Sequence, residues 1–434
     1  MGDGSCSACE NIFLVKGPVN TALYDLGRRE IYSINPLAVE ILGLNGVKTV
    51  EGRDVVSKNK FSSLQPRAVN GEALDVLKGY LTRHPAMAQH EIAGGKGFSE
   101  GIIKPMSCRA GAPRLNSMWL ELTHACNLSC THCYAEAGES YAKELSLTHW
   151  KEILEEGARL GAREVQLTGG EPTLYPGLID LVEYAKSCRY EEVEVFTNAM
   201  RLEDELLRQW ATLGTKAAVS FYSHDPGTHD SITRSPGSFR QTLEGIKTLL
   251  RHQIHVRANM ILMRENLSHF KDTKEFLKGL GVKEISCDYV RPTGRGEVEW
   301  SFLDGEVAKR APELNLPLAS EGRQGFCDDR NVWITCWRGE ILISSDGTAY
   351  PCIFARGMPV GRFPEMRLEE IIRGQAVQRL WQITLDEVET CKDCELRYGC
   401  FDCRALALTT TGDLLVKNPR CQYNPYTGQM DKHG

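Results

Sequence analysis

Three cysteines in one short stretch constrain this chain more than any other feature. Cys126, Cys130 and Cys133 have the spacing C-x3-C-x2-C and directly follow a predicted strand over residues 118–122. Three thiolates leave a cubane 4Fe–4S cluster one ligand short, because such a cluster binds four. One iron would therefore stay open to a small molecule. The alternatives are a chance cluster or a zinc site, and zinc is disfavoured because no fourth Cys or His lies at zinc-ligand spacing.

The length and charge of the chain limit what else it can be. It has 434 residues, 42% of them hydrophobic and 25% charged, which is typical of a globular protein and predicts two or three domains. The net charge of −6 disfavours a surface for nucleic acid or anionic membranes. No apolar run is long enough to cross a membrane, and the first residues do not resemble a signal peptide. Sixteen cysteines then predict metal or redox chemistry in a reducing cytoplasm rather than disulfides.

The first 95 residues predict a small, separate α/β domain. Its pattern is a strand, a hairpin and then two helices, followed by a linker rich in Gly, Pro and Ser. The predicted strands are 11–15, 21–25 and 30–34, the predicted helices are about 37–42 and 72–81, and the linker is 96–114.

Between residues 115 and 315, strands and helices alternate in six βα units. This alternation predicts a parallel sheet with right-handed crossover connections. The predicted strands are 119–122, 164–167, 193–196, 217–221, 255–262 and 284–290, and the predicted helices are 148–160, 178–188, 204–213, 238–252 and 267–280.

A Gly-Gly-Glu-Pro motif, Gly169 to Pro172, follows the second of these strands. Two glycines let a backbone approach a ligand because no Cβ atom is in the way, and the carboxylate of Glu171 can receive a cationic amine. An ordinary turn at a strand end is the alternative. Asn198 and Ser220 stand at the ends of the next two strands, where each could bind a ligand or cap its strand.

Taken together, these motifs resemble the radical S-adenosylmethionine (SAM) superfamily. The Cys126–Cys133 loop, with His132 in the aromatic position before the third cysteine, and the Gly-Gly-Glu-Pro motif one βα unit later carry the resemblance. It implies a partial (β/α)6 TIM-like barrel, open at one side, with the cysteine loop at the carboxyl ends of the strands. It also implies that SAM chelates the open iron. The cofactor-binding residues that it implies are His132, Gly169, Gly170, Glu171, Asn198 and Ser220.

The resemblance further implies a reaction class. In this superfamily, a reduced cluster passes an electron to the sulfonium of SAM. The products are methionine and a 5′-deoxyadenosyl radical, which abstracts hydrogen from unactivated carbon. The cofactor supplies this difficult step, and the protein positions the target carbon and excludes competing reactions.

Eight of the sixteen cysteines fall between Cys327 and Cys421. Their spacing resembles a SPASM domain, here residues 316–434, which carries two auxiliary 4Fe–4S clusters. Only two residues separate Cys400 from Cys403, where three are usual, and zinc is a weaker alternative for the quartet that ends at Cys403. Cys327 is either the fourth ligand of the first auxiliary cluster or a free buried thiol. The other implied ligands are Cys336, Cys352 and Cys403 for the first auxiliary cluster, and Cys391, Cys394, Cys400 and Cys421 for the second.

Four residues near the sixth strand are further candidates. Cys287 and Asp288 lie on that strand, one face of which is expected to point into the barrel. There the thiol could donate hydrogen to a substrate radical, and the carboxylate could take a proton. Core packing is the alternative for Cys287. Arg291 and Arg295 follow the strand and either bind carboxylates of SAM or substrate or lie in a solvated loop.

A hairpin followed by helices, ahead of such a core, resembles the peptide-recognition element of enzymes that modify precursor peptides. That element is a winged-helix fold that takes a leader peptide as an added strand. A structural extension without a ligand is the alternative for the first 95 residues.

The combined prediction is a cytoplasmic radical SAM–SPASM enzyme that forms an oxidative cross-link, thioether or carbon–carbon, in a ribosomally made precursor peptide. The implied cofactors are SAM and three 4Fe–4S clusters. The implied partners are a leader-bearing precursor peptide and a flavodoxin or ferredoxin type reductant, with neither nucleic acid nor a membrane. The alternatives are a sulfatase-activating type of maturase, a peptide epimerase, a non-catalytic iron–sulfur electron carrier and a zinc-stabilised binding module.

Overall fold

A computed structural model of the chain describes residues 12–25, 30–34, 56–59, 114–140, 143–296, 336–397, 400 and 402–430. Both helices predicted for the first 95 residues lie outside this part of the chain, as do Cys327 and nearly all of the linker. The winged-helix assignment therefore stays a prediction.

The N-terminal residues form a four-stranded antiparallel sheet in which the strands lie in chain order. Its first three strands match the predicted ones, and the second and third pair as the predicted hairpin. The fourth strand is not predicted, because Val-Ser-Lys-Asn lacks the apolar alternation of a strand. The strands are β1 (Ile12–Lys16), β2 (Thr21–Asp25), β3 (Glu30–Ile34) and β4 (Val56–Asn59).

A nine-stranded sheet forms the centre of the described structure. Six of its strands are parallel and lie side by side in chain order, which confirms the predicted βα alternation. Its closure into a partial barrel stays a prediction. The parallel strands are β5 (Ser117–Glu121), β6 (Glu164–Thr168), β7 (Glu192–Thr197), β8 (Lys216–Ser220), β9 (Val256–Leu262) and β10 (Glu284–Tyr289).

Helices connect these strands and cover one face of the sheet. Five of them match predicted helices to within a few residues. No helix is predicted at Pro226–Thr233, a segment that is short and poor in apolar residues, although Asp225 caps the observed helix and Pro226 occupies its first position. The helices are α1 (Leu147–Leu160), α2 (Leu178–Ser187), α3 (Asp204–Leu213), α4 (Pro226–Thr233), α5 (Ser238–Arg251) and α6 (Phe270–Gly279).

The two faces of the parallel sheet differ in polarity. On the face covered by helices, residues such as Val165, Val195 and Met260 pack with helix residues such as Trp150 into one buried core. The opposite face carries polar side chains, because alternate residues of a strand point to opposite sides. We call this opposite side the polar face. It is the surface on which the candidate site is built.

The C-terminal region continues the same sheet. Strand β11 (Glu340–Ile343) pairs in parallel with β5, and the antiparallel strands β12 (Thr348–Tyr350) and β13 (Gly361–Arg362) follow it. This pairing covers the edge of β5, which would otherwise present unpaired backbone groups. The rest comprises the helices α7 (Leu368–Arg373), α8 (Gln375–Gln382) and α9 (Arg404–Thr411) and the strand pair β14 (Tyr423–Asn424) and β15 (Gln429–Met430).

The turn between β1 and β2 contacts the C-terminal region. The side chain of Asn20 donates a hydrogen bond to the hydroxyl oxygen of Tyr423 at 3.1 Å. That hydroxyl in turn donates to the buried carboxylate of Glu395. Gly17 lies so close that a Cβ atom on it would be 2.6 Å from the same carboxylate. The N-terminal sheet is therefore joined to residues that neighbour C-terminal cysteines.

Within the described ranges, no helix combines the length and the apolar character needed to cross a bilayer.

Candidate functional site

The loop after β5 carries the first three cysteines, whose thiols are close neighbours. Burial raises the pKa of Cys126 to about 11 and that of Cys130 to about 12, and charge on nearby Cys133 adds to both shifts. The backbone N–H groups of Leu128 and Ala137 approach the sulfur atoms of Cys126 and Cys133 at 3.4 Å. The loop therefore presents three adjacent thiols, two of them with backbone donors in place.

This donor set fits an iron–sulfur cluster. Each ligand of a cubane binds a different iron, so the thiols must be neighbours without converging on a single point. In the part of the chain that the structure describes, no three Cys, His, Asp or Glu side chains converge as the ligands of one metal ion would. A cluster binds thiolates, so it must displace the protons of these thiols when it binds. Burial, which raises the pKa of Cys126 and of Cys130, opposes this loss of protons.

Gly169 and Gly170 pack against the base of this loop. The N–H of Gly170 donates to the carbonyl oxygen of Thr123 at 2.7 Å. A Cβ atom on Gly169, whose φ is +140°, would lie 2.5 Å from that oxygen, and one on Gly170 would overlap the carbonyl oxygen of Ala125. The cysteine loop itself therefore requires both glycines. The predicted reason, close approach of a ligand, is not needed to explain them.

Glu171 joins the ends of β6 and β7 through its buried carboxylate. Its Oε1 atom accepts hydrogen bonds from the hydroxyl groups of Thr173 and Thr197, at 2.7 and 2.6 Å, and its Oε2 atom accepts one from the N–H of Asn198 at 2.7 Å. Burial raises the pKa of Glu171, and these donors oppose the shift. The contact with the SAM amino group stays a prediction.

Asn198 holds the cysteine loop from the end of β7. Its side-chain amide donates to the side-chain oxygen of Asn127, the residue after Cys126, at 2.7 Å. Its backbone carbonyl accepts a hydrogen bond from the Thr242 hydroxyl at 2.9 Å. Asn198 therefore has a structural contact to the loop beside its predicted role in binding SAM.

A row of polar residues crosses the polar face near the carboxyl ends of the strands. Ser220, Asn259 and Ser286 stand in register on β8, β9 and β10, and Asn198 extends the row past the end of β7. The Ser286 hydroxyl donates to the Asn259 side-chain oxygen at 2.7 Å. Asn259 and Ser286 are absent from the predicted site. Counting strand positions from Ser220 would find them, because the residues of one register row share a face.

An ion pair lies on the same face, closer to the amino ends of the strands. Arg257 contacts both carboxylate oxygens of Glu194, at 3.1 and 2.6 Å, and also donates to Ser286 at 3.0 Å. Gln166 donates to Glu194 at 2.5 Å. A continuous hydrogen-bond network therefore fixes the side chains of the polar face between the polar row and the amino ends of the strands.

His132 and Tyr222 surround Cys130. Their rings meet edge to face, with centroids 4.7 Å apart. Burial, assisted by the positive charge of Arg295, lowers the pKa of His132 to about 3, so its imidazole is neutral. Its buried Nδ1 atom has no hydrogen-bond partner among the described residues. Cys130 packs against the apolar cluster that contains Tyr222, and the Tyr222 hydroxyl lies near the Cys130 thiol and Ser220. Tyr222 therefore lies between the cysteine loop and the polar row.

The loop after β10 clamps the cysteine loop. Arg295 donates from its side chain to the carbonyl oxygens of Cys130 and Ala137, at 2.8 and 3.2 Å, and from its backbone to that of Cys133 at 3.1 Å. Gly294 leaves no room for a Cβ atom against the same loop. The guanidinium of Arg295 thus binds backbone carbonyls of the cysteine loop. A contact of Arg295 with the carboxylates of SAM or substrate stays a prediction.

The C-terminal cysteines fall into two groups. After burial, the largest cause of the raised pKa of Cys336 is charge on Cys403 and Cys352. Burial and charge on Cys421 both raise the pKa values of Cys391, Cys394 and Cys400. The structure therefore brings Cys336, Cys352 and Cys403 together, and likewise Cys391, Cys394, Cys400 and Cys421. These are the two predicted ligand sets; their roles as cluster ligands stay predictions.

Cys287 and Asp288 point to opposite sides of β10. Cys287 packs with Ile285 against the core between sheet and helices, which favours the packing alternative. Asp288 lies on the polar face, where its carboxylate accepts a hydrogen bond from Arg291 at 2.6 Å. Neighbouring residues of a strand point to opposite faces, so Cys287 and Asp288 cannot both reach the polar face. The role of Asp288 as a proton acceptor stays a prediction.

Replacing Cys287 with alanine is expected to leave product formation within about twofold of wild type. The thiol packs against apolar side chains, so its loss should lower the free energy of unfolding by at most about 1 kcal/mol. Denaturant unfolding and product formation by mass spectrometry measure the two effects. Loss of product with SAM cleavage intact would restore Cys287 as a hydrogen donor.

Two family models match the chain. The model of the radical SAM superfamily matches residues 120–277, and that of the SPASM iron–sulfur cluster-binding domain matches residues 336–395. The first match contains the cysteine loop and the glycine motif. The second contains four of the seven C-terminal cysteines described above, from Cys336 to Cys394.

Individual proteins extend these matches. The sporulation killing factor maturation protein SkfB of Bacillus subtilis is 31% identical over 334 residues, which cover 73% of this chain and 77% of SkfB. The AdoMet-dependent heme synthase of Methanosarcina barkeri is 27% identical over 366 residues, 74% of this chain and 99% of that enzyme. The crystal structure of Streptococcus suis SuiB bound to its precursor peptide SuiA shares the fold, with a TM-score of 0.54, 13% identity, and coverage of 94% of this chain and 98% of SuiB.

Proposed function

Since this chain belongs to the radical SAM superfamily and carries a SPASM iron–sulfur cluster-binding domain, we propose that it is the maturase of a ribosomally made precursor peptide. It is an enzyme of that superfamily, with SAM and iron–sulfur clusters as cofactors. The proposed reaction removes hydrogen from a peptide Cα or Cβ and ends in a thioether or carbon–carbon cross-link.

In this proposal, Cys126, Cys130 and Cys133 hold the cluster that binds SAM. When bound, that pair of cofactors supplies the carbon radical that takes hydrogen from the peptide. The chain's own residues position and shield it. Tyr222 packs beside Cys130, and Arg295 fixes the loop backbone, so the thiols keep one arrangement while substrate enters and leaves.

The polar row would orient the bound molecules. Ser220, Asn259 and Ser286 offer hydroxyl and amide groups on the side of the sheet that faces away from the helices. The ion pair of Glu194 with Arg257 is already satisfied internally, so it supports the row and does not compete for ligands. The neutral imidazole of His132 offers a buried nitrogen beside the cysteine loop.

The two C-terminal thiol groups would hold two auxiliary clusters, which makes three 4Fe–4S clusters in all. A cross-link removes two hydrogen atoms from the peptide. Abstraction accounts for one electron, and an auxiliary cluster would supply the acceptor for the other. A flavodoxin or ferredoxin type protein is the proposed source of the electron that starts each cycle.

The observation that carries the peptide assignment is the contact of the N-terminal sheet with the C-terminal cysteine region. A second, antiparallel sheet is not needed for SAM cleavage. Among the described residues, β1 and β4 are its edge strands, and an edge strand can pair with an extended peptide. Its β1–β2 turn is anchored at Tyr423 and Glu395, near Cys421 and Cys394. SkfB, named a maturation protein, and SuiB, crystallised with a precursor peptide, support the same reading.

The test is to incubate the reduced, anaerobic enzyme with SAM and the peptide encoded beside its gene. A mass loss of two hydrogen atoms in the peptide supports a cross-link. Unchanged mass with a D-residue would replace cross-linking by epimerisation. No change in any neighbouring peptide, with SAM cleavage intact, would contradict the proposal.

Heme formation from a tetrapyrrole is the second candidate, because the heme synthase match covers nearly all of that enzyme. It leaves about a quarter of this chain unmatched, since it covers 74%. Incubation with tetrapyrrole precursors of heme distinguishes the two by absorbance: heme release from this enzyme would favour the synthase.

Replacing Asn20 with alanine is expected to weaken peptide processing about fivefold, because it removes a hydrogen bond worth about 1 kcal/mol from the anchor of the N-terminal sheet. SAM cleavage without peptide should stay at the wild-type rate. KM for the peptide, measured by mass spectrometry, reports the effect. The matched control is Tyr426→Phe, which removes a hydrogen bond to Asp393 elsewhere on the C-terminal surface.

The Asn20→Ala variant tests peptide recognition more specifically than deletion of residues 1–95 does. Deletion would also uncover Glu395, the buried residue after Cys394, so it must be paired with an iron determination. With iron unchanged, loss of processing on deletion supports peptide recognition. Processing that survives deletion would favour a maturase that reads a local motif of a folded protein.

A further inference from the structure

Arg291 joins the loop after β10 to the first group of C-terminal thiols. One guanidinium nitrogen lies 2.8 Å from the sulfur of Cys403, and another lies 2.6 Å from a carboxylate oxygen of Asp288. The side chain is only 12% exposed and stacks over the Phe354 ring, with its central carbon 4.6 Å from the ring centroid. Its buried Nε atom has no partner among the described residues. A positive charge is thus fixed against a thiol of this group.

Asp288 stands between two guanidinium groups. Besides Arg291, its carboxylate faces Arg420, whose nearest nitrogen is 3.8 Å away. Arg420 also donates to the carbonyl oxygen of Val290 at 2.8 Å and lies over the Tyr289 ring. The carboxylate therefore partly neutralises the charge that Arg291 presents to Cys403.

We propose that Arg291 and Asp288 set the reduction potential of the iron–sulfur cluster held by Cys336, Cys352 and Cys403, in opposite directions. The inference rests on the proposed function, because it takes that thiol group as a cluster site. Hydrogen bonds to cluster sulfurs and net charge around a cluster both tune its potential. Positive charge stabilises the reduced cluster, which carries one more electron, so Arg291 raises the potential and Asp288 lowers it.

The low exposure of Arg291 gives this charge its effect. Coulomb interactions are weak in water and stronger where water is excluded, and the Arg291 side chain is only 12% exposed. An exposed arginine at the same separation would be screened by water and salt. The sequence distance of 112 residues between Arg291 and Cys403 means that this contact exists only in the folded chain.

The test measures midpoint potentials of the auxiliary clusters in the full chain by redox titration with electron paramagnetic resonance. The background carries alanine at Cys126, Cys130 and Cys133, which removes the signal of the SAM cluster. Arg291→Met should shift one auxiliary midpoint to more negative values, and Asp288→Asn should shift the same midpoint to more positive values. The matched control, Arg379→Met, removes an exposed arginine that pairs with Glu387, and it should shift neither midpoint.

Shifts in the same direction, or no shift in either variant with iron retained, would overturn the inference. If the Arg291→Met variant does not bind the cluster, the same titration is carried out on Arg291→Lys. Lysine retains the charge but cannot form both contacts, so a smaller negative shift is expected and an unchanged midpoint counts against the role. Absence of any auxiliary-cluster signal in the background chain itself would instead contradict the proposed function, which keeps the two failures distinct.

Discussion

Replacing Cys130 with alanine is expected to reduce 5′-deoxyadenosine formation at least about 100-fold. Even outer partners of a metal ligand are worth about 10- to 100-fold in metal affinity or activity, and a direct ligand should be worth more. Of the three loop cysteines, Cys130 is the one whose thiol also meets the Tyr222 hydroxyl. Its loss leaves two thiols for a cluster that needs three from the protein. Chromatography of the reduced, SAM-supplied enzyme measures the effect.

The same variant separates the proposed clusters by iron content. Three cubane clusters correspond to about twelve iron atoms per chain, and the variant should lose about four of them. Cys188→Ala is the matched control, because this thiol lies at the end of α2 and outside all three thiol groups. We expect it to keep both iron and activity. Wild-type 5′-deoxyadenosine formation by Cys130→Ala would contradict the assignment of the loop to SAM cleavage.

The elements that sequence reasoning predicts well are those with local signals. The cysteine loop and the Gly-Gly-Glu-Pro motif are read from spacing alone. The parallel strands are found because they alternate with amphipathic helices such as α1, whose apolar residues Trp150, Ile153 and Leu154 are all buried. The predicted hairpin of β2 and β3 is confirmed for the same reason, because its two strands and the turn between them are close together in the sequence.

The contacts that determine the site are not local, and they escape such reasoning. Nothing near Arg291 in the sequence indicates Cys403, and nothing near Gly170 indicates that Ala125 lies against it. The face on which Cys287 lies depends on the register of β10, and a shift of one residue exchanges the two faces. Register follows from pairing with β9, which only the folded sheet defines.

The pairing of β11 with the edge of β5 is another contact that is not local in the sequence. Glu340 to Ile343 belong to the predicted cysteine-rich domain, and they pair with strand β5 of the parallel sheet. Tyr134, Glu121 and Arg356 then meet across this junction, with Arg356 packed against the Tyr134 ring and paired with Glu121. The first cysteine loop and the C-terminal region thus share one support, which explains how their thiol groups keep fixed relative positions.

Gly170→Ala is expected to abolish most SAM cleavage and to remove most iron from the first site, although it changes neither a ligand nor a charge. The added methyl group would overlap the carbonyl oxygen of Ala125, which is backbone and cannot rotate away. Overpacking of this kind costs about 1–3 kcal/mol. Here the displaced segment is the one that carries Cys126, so the cost falls on the arrangement of the three thiols.

The matched control is Gly279→Ala, at the end of α6, where an added Cβ atom meets no heavy atom within 4 Å. Alanine there should leave iron and activity unchanged and raise the free energy of unfolding by about 0.4–1 kcal/mol, because glycine has more freedom to lose on folding. Iron analysis, thermal unfolding and 5′-deoxyadenosine release separate the two variants. If Gly170→Ala kept full iron and activity, the glycines would not be needed for the cysteine loop, and the explanation would return to the approach of a ligand.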